Sequence, residues 1–139
     1  MTTGFIFPFA GGAILYCSKT QSICAISSTE AEFIAAVDAA KNAKYLRQIL
    51  FQLGYEQVGP TPIYCDNESA IRIVNDNRMP TERIRHLDIR WFAIQEWKEN
   101  NEIVLKHIPG VFQPPDALTK PLGWVLHSRH CQRMMGHFQ

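Results

Sequence analysis

From Phe33 to Leu53 the apolar residues recur at steps of three and four: Phe33, Ile34, Val37, Ala40, Leu46, Ile49, Leu50 and Leu53. That spacing puts them on one face of a long helix, and a face of that length has to be buried against another layer. The start and stop signals agree with the period. Ser27 with Glu30 has capping-box spacing, in which the hydroxyl accepts from a backbone amide and the glutamate reaches back, and Gly54 can close the far end.

The flanking segments say what the other layer is. Gly4 to Phe9 is aromatic and β-branched, Gly11-Gly12 is a turn signal, and Ala13 to Cys17 and Ser22 to Ile26 have strand character around the polar Ser18 to Gln21. A hairpin or meander is expected there. Downstream, Pro62 to Cys65 reads as a short buried strand, Asn67 to Val74 as a short helix, and Asn75 to Pro80 as a loop. Ile84, Leu87, Trp91, Ile94 and Trp97 mark a second amphipathic helix running to about Asn100. Ile103 to Ile108 follows as a strand, Pro109 to Pro115 as a loop, and Asp116 to Leu118 with Val125 to Met135 as one or two short helices. Strands on both sides of the long helix imply one mixed α/β domain over residues 1–139, a length sufficient for a real core.

With 46% hydrophobic and 19% charged residues the chain reads as soluble and globular, not disordered. A net charge of +1 gives no bulk attraction to polyanions, so nucleic-acid binding would have to come from local patches. No apolar run approaches the roughly 20 residues of a membrane span, and the N-terminus lacks the pattern of a secretory signal. The four cysteines contain no C-x-x-C pair, which argues against a zinc site and for reduced, buried thiols in an intracellular protein.

Three carboxylates stand at strand–helix or loop–helix junctions: Glu32, Asp66 and Asp116. Acids brought to one edge of an α/β sheet can hold hard divalent cations such as Mg²⁺. The same positions suit helix capping or dipole complementation, and position alone does not separate Glu32 from Glu30. Before Glu30 the chain has no acid, and Lys19 is its only charged side chain there.

The words around these acids carry a resemblance. Ser-Ser-Thr-Glu-Ala-Glu-Phe-Ile-Ala-Ala, Ile-Tyr-Cys-Asp-Asn-Glu-Ser-Ala-Ile and Pro-Asp-Ala-Leu-Thr-Lys-Pro-Leu, in that order, resemble the ribonuclease H domain of copia-type LTR retrotransposon Pol polyproteins. Gly11 to Ile14, Cys17 to Gln21 and Arg83 to Arg90 add to it, so the resemblance covers nearly the whole chain. It implies a ribonuclease H-like α/β fold with a mixed five-stranded sheet and flanking helices. It also implies an endonuclease that cuts the RNA strand of an RNA–DNA hybrid, with two Mg²⁺ ions (Mn²⁺ as an alternative) held by four acids.

Three of those acids fall on Glu32, Asp66 and Asp116, and the family's loop histidine falls nearest His107. The first acid belongs to a strand that would precede Thr2, lying between the hairpin and the strand that ends at Asp66. Residues 1–139 alone are therefore expected to be N-terminally truncated and weak or inactive as a nuclease. Two edges would be left open, to be re-paired, swapped in a homo-oligomer or filled by strand donation. The family's partners would be the hybrid and a reverse transcriptase domain of the same polyprotein, in a cytoplasmic particle or the nucleus.

Hybrid recognition works through backbone shape and 2′-hydroxyls. Asn67 and Ser69 are candidate sugar-phosphate donors; Arg72, Arg78, Arg83, Arg85 and Arg90 are candidate phosphate contacts or a solvated helix face. Trp91, Phe92 and Trp97 are expected in the core, His86 as structural or surface, and His127, His130 and His137 as tail residues. Other readings are a non-catalytic nucleic-acid-binding or interaction module of the same fold, and an integrase- or resolvase-like nuclease.

Overall fold

The computed structural model describes residues 1–22, 24–76 and 87–136, with the side chains of residues 116 and 117 outside that description. β1 (Thr2–Phe9) and β2 (Gly12–Thr20) form an antiparallel hairpin, and α1 (Ser28–Gln52) crosses from it to β3 (Thr61–Cys65). Then come α2 (Glu68–Asn75), α3 (Asp88–Glu99) and β4 (Ile103–His107), which pairs in parallel with β3. A 3-10 turn over Gly110–Phe112, α4 (Asp116–Thr119) and α5 (Trp124–Met134) complete the chain.

The hairpin turns one residue earlier than the glycine pair suggests, at Ala10 and Gly11, whose φ angles are 51° and 88°. Two successive positive φ values match the twist of the flanking strands, which is why a glycine is needed and an alanine is merely tolerated. β2 then runs through the expected break to Thr20, because Ser18, Lys19 and Thr20 stay paired with Gly4, Thr3 and Thr2 of β1. Ser18 Oγ donates to the Leu118 carbonyl at 2.6 Å, and Lys19 lies 3.7 Å from Asp38. The expected strand over Ser22 to Ile26 is not formed among its described residues, which lead irregularly into α1.

α1 starts where the capping signal placed it. Ser27 Oγ accepts from the Glu30 amide at 3.1 Å, while Glu30 Oε2 accepts from the Ile26 amide at 2.8 Å, one residue upstream of the usual capping-box donor. Phe33, Ile34, Val37 and Ala40 are buried, whereas Leu46, Ile49 and Leu50 are half-buried and Leu53 is exposed. The predicted face is thus real, but only its first half is core. Phe33 and Ile34 meet Val74, Leu87, Ile94 and Ile103 in the main cluster.

Side chains of α3 close the C-terminal end of α2. Gln95 Nε2 and Lys98 Nζ donate to the Val74 carbonyl at 2.6 and 2.8 Å, and Trp91 Nε1 donates to the Ile73 carbonyl at 3.1 Å. Carbonyls that a helix end leaves without intrahelical partners are satisfied in this way. Arg47 of α1 sets the entry to β3, donating to the Gln57 and Gly59 carbonyls and to Thr61 Oγ1 at 2.9, 2.7 and 2.9 Å.

The α/β class is as expected, but one continuous five-stranded sheet is not what forms. The described strands make two separate two-stranded sheets, β1–β2 and β3–β4, both packed on α1. No described strand joins β1 to β3, so the ladder is interrupted there. Among the described residues no helix is long and apolar enough to cross a membrane.

Candidate functional site

Among the described side chains two of the junction acids, Glu32 and Asp66, converge; the side chain of Asp116 lies outside the described residues. Glu32 comes from the first turns of α1 and Asp66 from the residue after β3. One carboxylate oxygen of each and Cys65 Sγ lie within 4.8 Å of one another. Parallel pairing of β3 with β4 brings Asp66 to the carboxyl end of that sheet, the edge at which α/β sheets present ligand-binding groups.

Local hydrogen bonds explain why these two acids are used. Asp66 does not cap α2; Asn67 does, its side chain accepting from the Ala70 amide at 3.0 Å. Glu30 is committed to the Ile26 amide and is buried, which separates it from Glu32 two residues on. One glutamate fastens the helix end and the other enters the cluster.

Cys65 is buried, with Sγ 3.4 Å from the Asn67 amide nitrogen. Burial pushes its thiol up to about 11; the Asn67 backbone hydrogen bond opposes this, and the negative charges of Glu32 and Asp66 add to it. At neutral pH the group is a protonated thiol, a poor ligand for a hard cation. The donor set is therefore two carboxylates against a neutral wall, and it fits one hard divalent ion. Asp116 is the first residue of α4, and the preceding Pro114 and Pro115 line the same cleft as Glu32 and Cys65.

Two neighbours of Asp66 were not singled out from the sequence. Lys120 Nζ lies 4.0 Å from Asp66 Oδ2 with half of its side chain exposed, placing a positive charge at the rim. Gly110 packs so closely that a Cβ there would lie 3.1 Å from the same oxygen. Lys120 was visible within the Asp-Ala-Leu-Thr-Lys word. Gly110 carried no signal beyond its place in a Pro-rich loop, since closeness to Asp66 is a tertiary fact.

The other candidates divide. His107 ends β4 as the register partner of Cys65, but it is exposed and outside the Glu32–Cys65–Asp66 group. Ser69 is exposed on the first turn of α2, and Arg72, also exposed, lies 3.7 Å from Glu68. Arg90 is not on a solvated face: it pairs with Asp38 of α1 at 3.3 Å and braces α3. Arg78, Arg83, Arg85, His86 and His137 lie outside the described residues.

Trp91 is buried and Trp97 packs on the core, whereas Phe92 is exposed and meets Trp91 edge-on at 5.2 Å, contrary to expectation. His130 is fully buried in α5 and so is no loose tail residue; His127 lies 3.4 Å from Cys131 Sγ. All four cysteines are free, but only Cys65 is buried and Cys24 is exposed.

Comparison with known proteins finds retrovirus-related Pol polyproteins of plant transposons among the relatives. Over 119 residues, 86% of this chain, the sequence is 39% identical to the Retrovirus-related Pol polyprotein from transposon TNT 1-94 of Nicotiana tabacum. It is 30% identical over 121 residues to that from transposon RE1, and 29% over 124 residues to that from transposon RE2, both of Arabidopsis thaliana. The chain spans 9%, 8% and 8% of the lengths of these relatives, so it corresponds to a small segment of each. No family model and no solved structure matches the chain.

Proposed function

We propose that this chain, whose homologues are retrovirus-related Pol polyproteins of plant transposons, is a ribonuclease H-type domain of such a polyprotein. Its reaction would be metal-dependent endonucleolytic hydrolysis of RNA in RNA–DNA hybrids. One observation carries the reading: Glu32 and Asp66, remote in sequence, are delivered to one point by α1 and β3, and Asn67 takes over the capping that would otherwise occupy Asp66.

Glu32 and Asp66 would hold a Mg²⁺ or Mn²⁺ ion, with Asp116 as the third acid implied by the resemblance. Such an ion supplies an activated water and stabilises charge on the departing 3′ oxygen. The chain's own residues do the positioning. Gly110 leaves room beside Asp66 Oδ2, and buried Cys65 walls one side without adding a charge. The Lys120 ammonium stands where an approaching phosphate would meet it, and Ser69 and Arg72 offer donors on the adjoining turns of α2. His107, exposed at the end of β4, is the proposed product- or proton-handling group.

The resemblance implies a fourth acid, and residues 1–29 contain none. Residues 1–139 alone should therefore bind hybrid but cut it slowly. The test is a 5′-labelled RNA annealed to DNA, incubated with Mn²⁺ or Mg²⁺. The expected result is retained hybrid binding with slow cutting, confined to the RNA strand, lost on chelation and lost in Asp66→Asn. Cutting that persists in Asp66→Asn, or acts equally on duplex DNA, would overturn the reading. The second reading is a non-catalytic binding module of the same fold. In that case Glu32→Gln changes neither binding nor any residual activity.

A further inference from the structure

Neither β1 nor β2 contributes an acid, yet the hairpin packs against both the helix that carries Glu32 and the one that opens with Asp116. Side chains alternate across a strand, and residues opposed in an antiparallel ladder share a face. Thr3 is opposed to Lys19, and Gly4 to Ser18. The Thr3–Lys19 face belongs to α1: Thr3 is fully buried, and Lys19 lies 3.7 Å from Asp38. The Gly4–Ser18 face belongs to α4, where Ser18 Oγ donates to the Leu118 carbonyl at 2.6 Å. A Cβ on Gly4 would overlap Thr119 Cγ2 and stand 3.3 Å from the Pro115 carbonyl oxygen.

α4 needs such a seat. It has 4 residues, and a helix that short does not hold its own shape in water. Ser18 fixes it by a bond near its end, and Gly4 lets it approach the strand at backbone distance. Pro115, just before the turn, and Leu118 and Thr119, its last residues, are the ones that meet the hairpin. The backbone at Asp116 is therefore held from both sides.

On the other face Gln21, the residue after β2, does the same for α1. Its amide donates to the Met1 carbonyl at 2.9 Å, which fastens it to the end of the ladder. Its side-chain Nε2 donates to Thr3 Oγ1 at 3.0 Å and to the Ala31 carbonyl at 2.9 Å. Ala31 immediately precedes Glu32. One amide group thus ties the first turns of α1 to the buried side of β1.

We propose that Gly4, Ser18 and Gln21 are positioning residues for the cation site. Gly4 and Ser18 seat Asp116, Gln21 seats Glu32, and the thickness of the hairpin between them sets the separation of the two acids. The proposal rests on the reading of Glu32, Asp66 and Asp116 as ligands of a divalent ion, and assigns the side chains that hold two of them in place. Each acts through the acid on the helix it holds, so its removal should matter only while that acid is present.

Mn²⁺ affinity, followed by electron paramagnetic resonance, tests this with each variant made alone and with its acid removed. Ser18→Ala should weaken Mn²⁺ binding about tenfold in the unaltered chain, and no further in Asp116→Asn. Ser18→Thr, which keeps the hydroxyl, should bind as the unaltered chain does. Gly4→Ala, pressing on the same turn from β1, should match Ser18→Ala. Should Gly4→Ala fail to fold, Ser18→Ala, which alters an exposed contact, still decides. Gln21→Met should weaken binding about tenfold alone, and no further in Glu32→Gln. Unchanged affinity in Ser18→Ala or in Gln21→Met would overturn the proposal. So would the same loss with and without the paired acid, because general loosening ignores which acid is present. Full affinity in both Asp116→Asn and Glu32→Gln would overturn the cation-site reading as well, a result distinct from either of these.

Discussion

Asp66 is left available for a ligand because its neighbours take over other duties. Asn67 caps α2, Gly110 gives its carboxylate room and Lys120 provides a counter-charge at the rim. Gly110→Ala should therefore keep the fold but lower Mn²⁺ affinity several-fold in a titration, since the added methyl would crowd Oδ2 at 3.1 Å. Cys65 makes a prediction in pH. In the unfolded chain its thiol ionises near its ordinary 9.0, and in the folded chain not until about 11. Between those values the unfolded state gives up its proton first, so stability falls as pH rises through the window, by about 1.4 kcal/mol per unit at most. Urea unfolding of Cys65→Ala should show a shallower decline than the unaltered chain from pH 9 to 11, and parallel declines would refute the assignment. At this scale the sequence was informative about which acids to watch and silent about their surroundings. Glu32 and Glu30 were indistinguishable by position, because choosing between them depends on where the Ile26 amide lies.

At the scale of elements, helix limits were legible because capping chemistry is local. The Ser27 hydroxyl, Gly54 and the apolar period fixed α1 to within a residue or two. Strand limits were less so: β2 runs on through the polar Ser18, Lys19 and Thr20, since pairing with Gly4, Thr3 and Thr2 of β1 outweighs local polarity. Two junctions position the site and can be tested separately. Asn67→Ala removes the side-chain acceptor for the Ala70 amide and should cost about 1 kcal/mol in urea unfolding. Arg47→Met strips three hydrogen bonds from the approach to β3 and should cost about 1–3 kcal/mol. It should also loosen the presentation of Asp66, seen as weaker Mn²⁺ binding, although Arg47 is at the opposite end of β3.

For the whole molecule, the α/β class followed from one long apolar helix face between strand segments, and the structure has that class. The split of the strands into two sheets with a cleft between them could not be read from strand patterns alone, which report burial and not which edges meet. The cleft and the carboxylates share a residue, Glu32, which lines the first and belongs to the second. The most direct test of the central claim, that α1 and β3 together build a cation site, is a Mn²⁺ titration followed by electron paramagnetic resonance. It compares the unaltered chain with Glu32→Gln and Asp66→Asn. The account predicts saturable Mn²⁺ binding that weakens at least tenfold in either variant while both stay folded. Equal binding in all three proteins would contradict it.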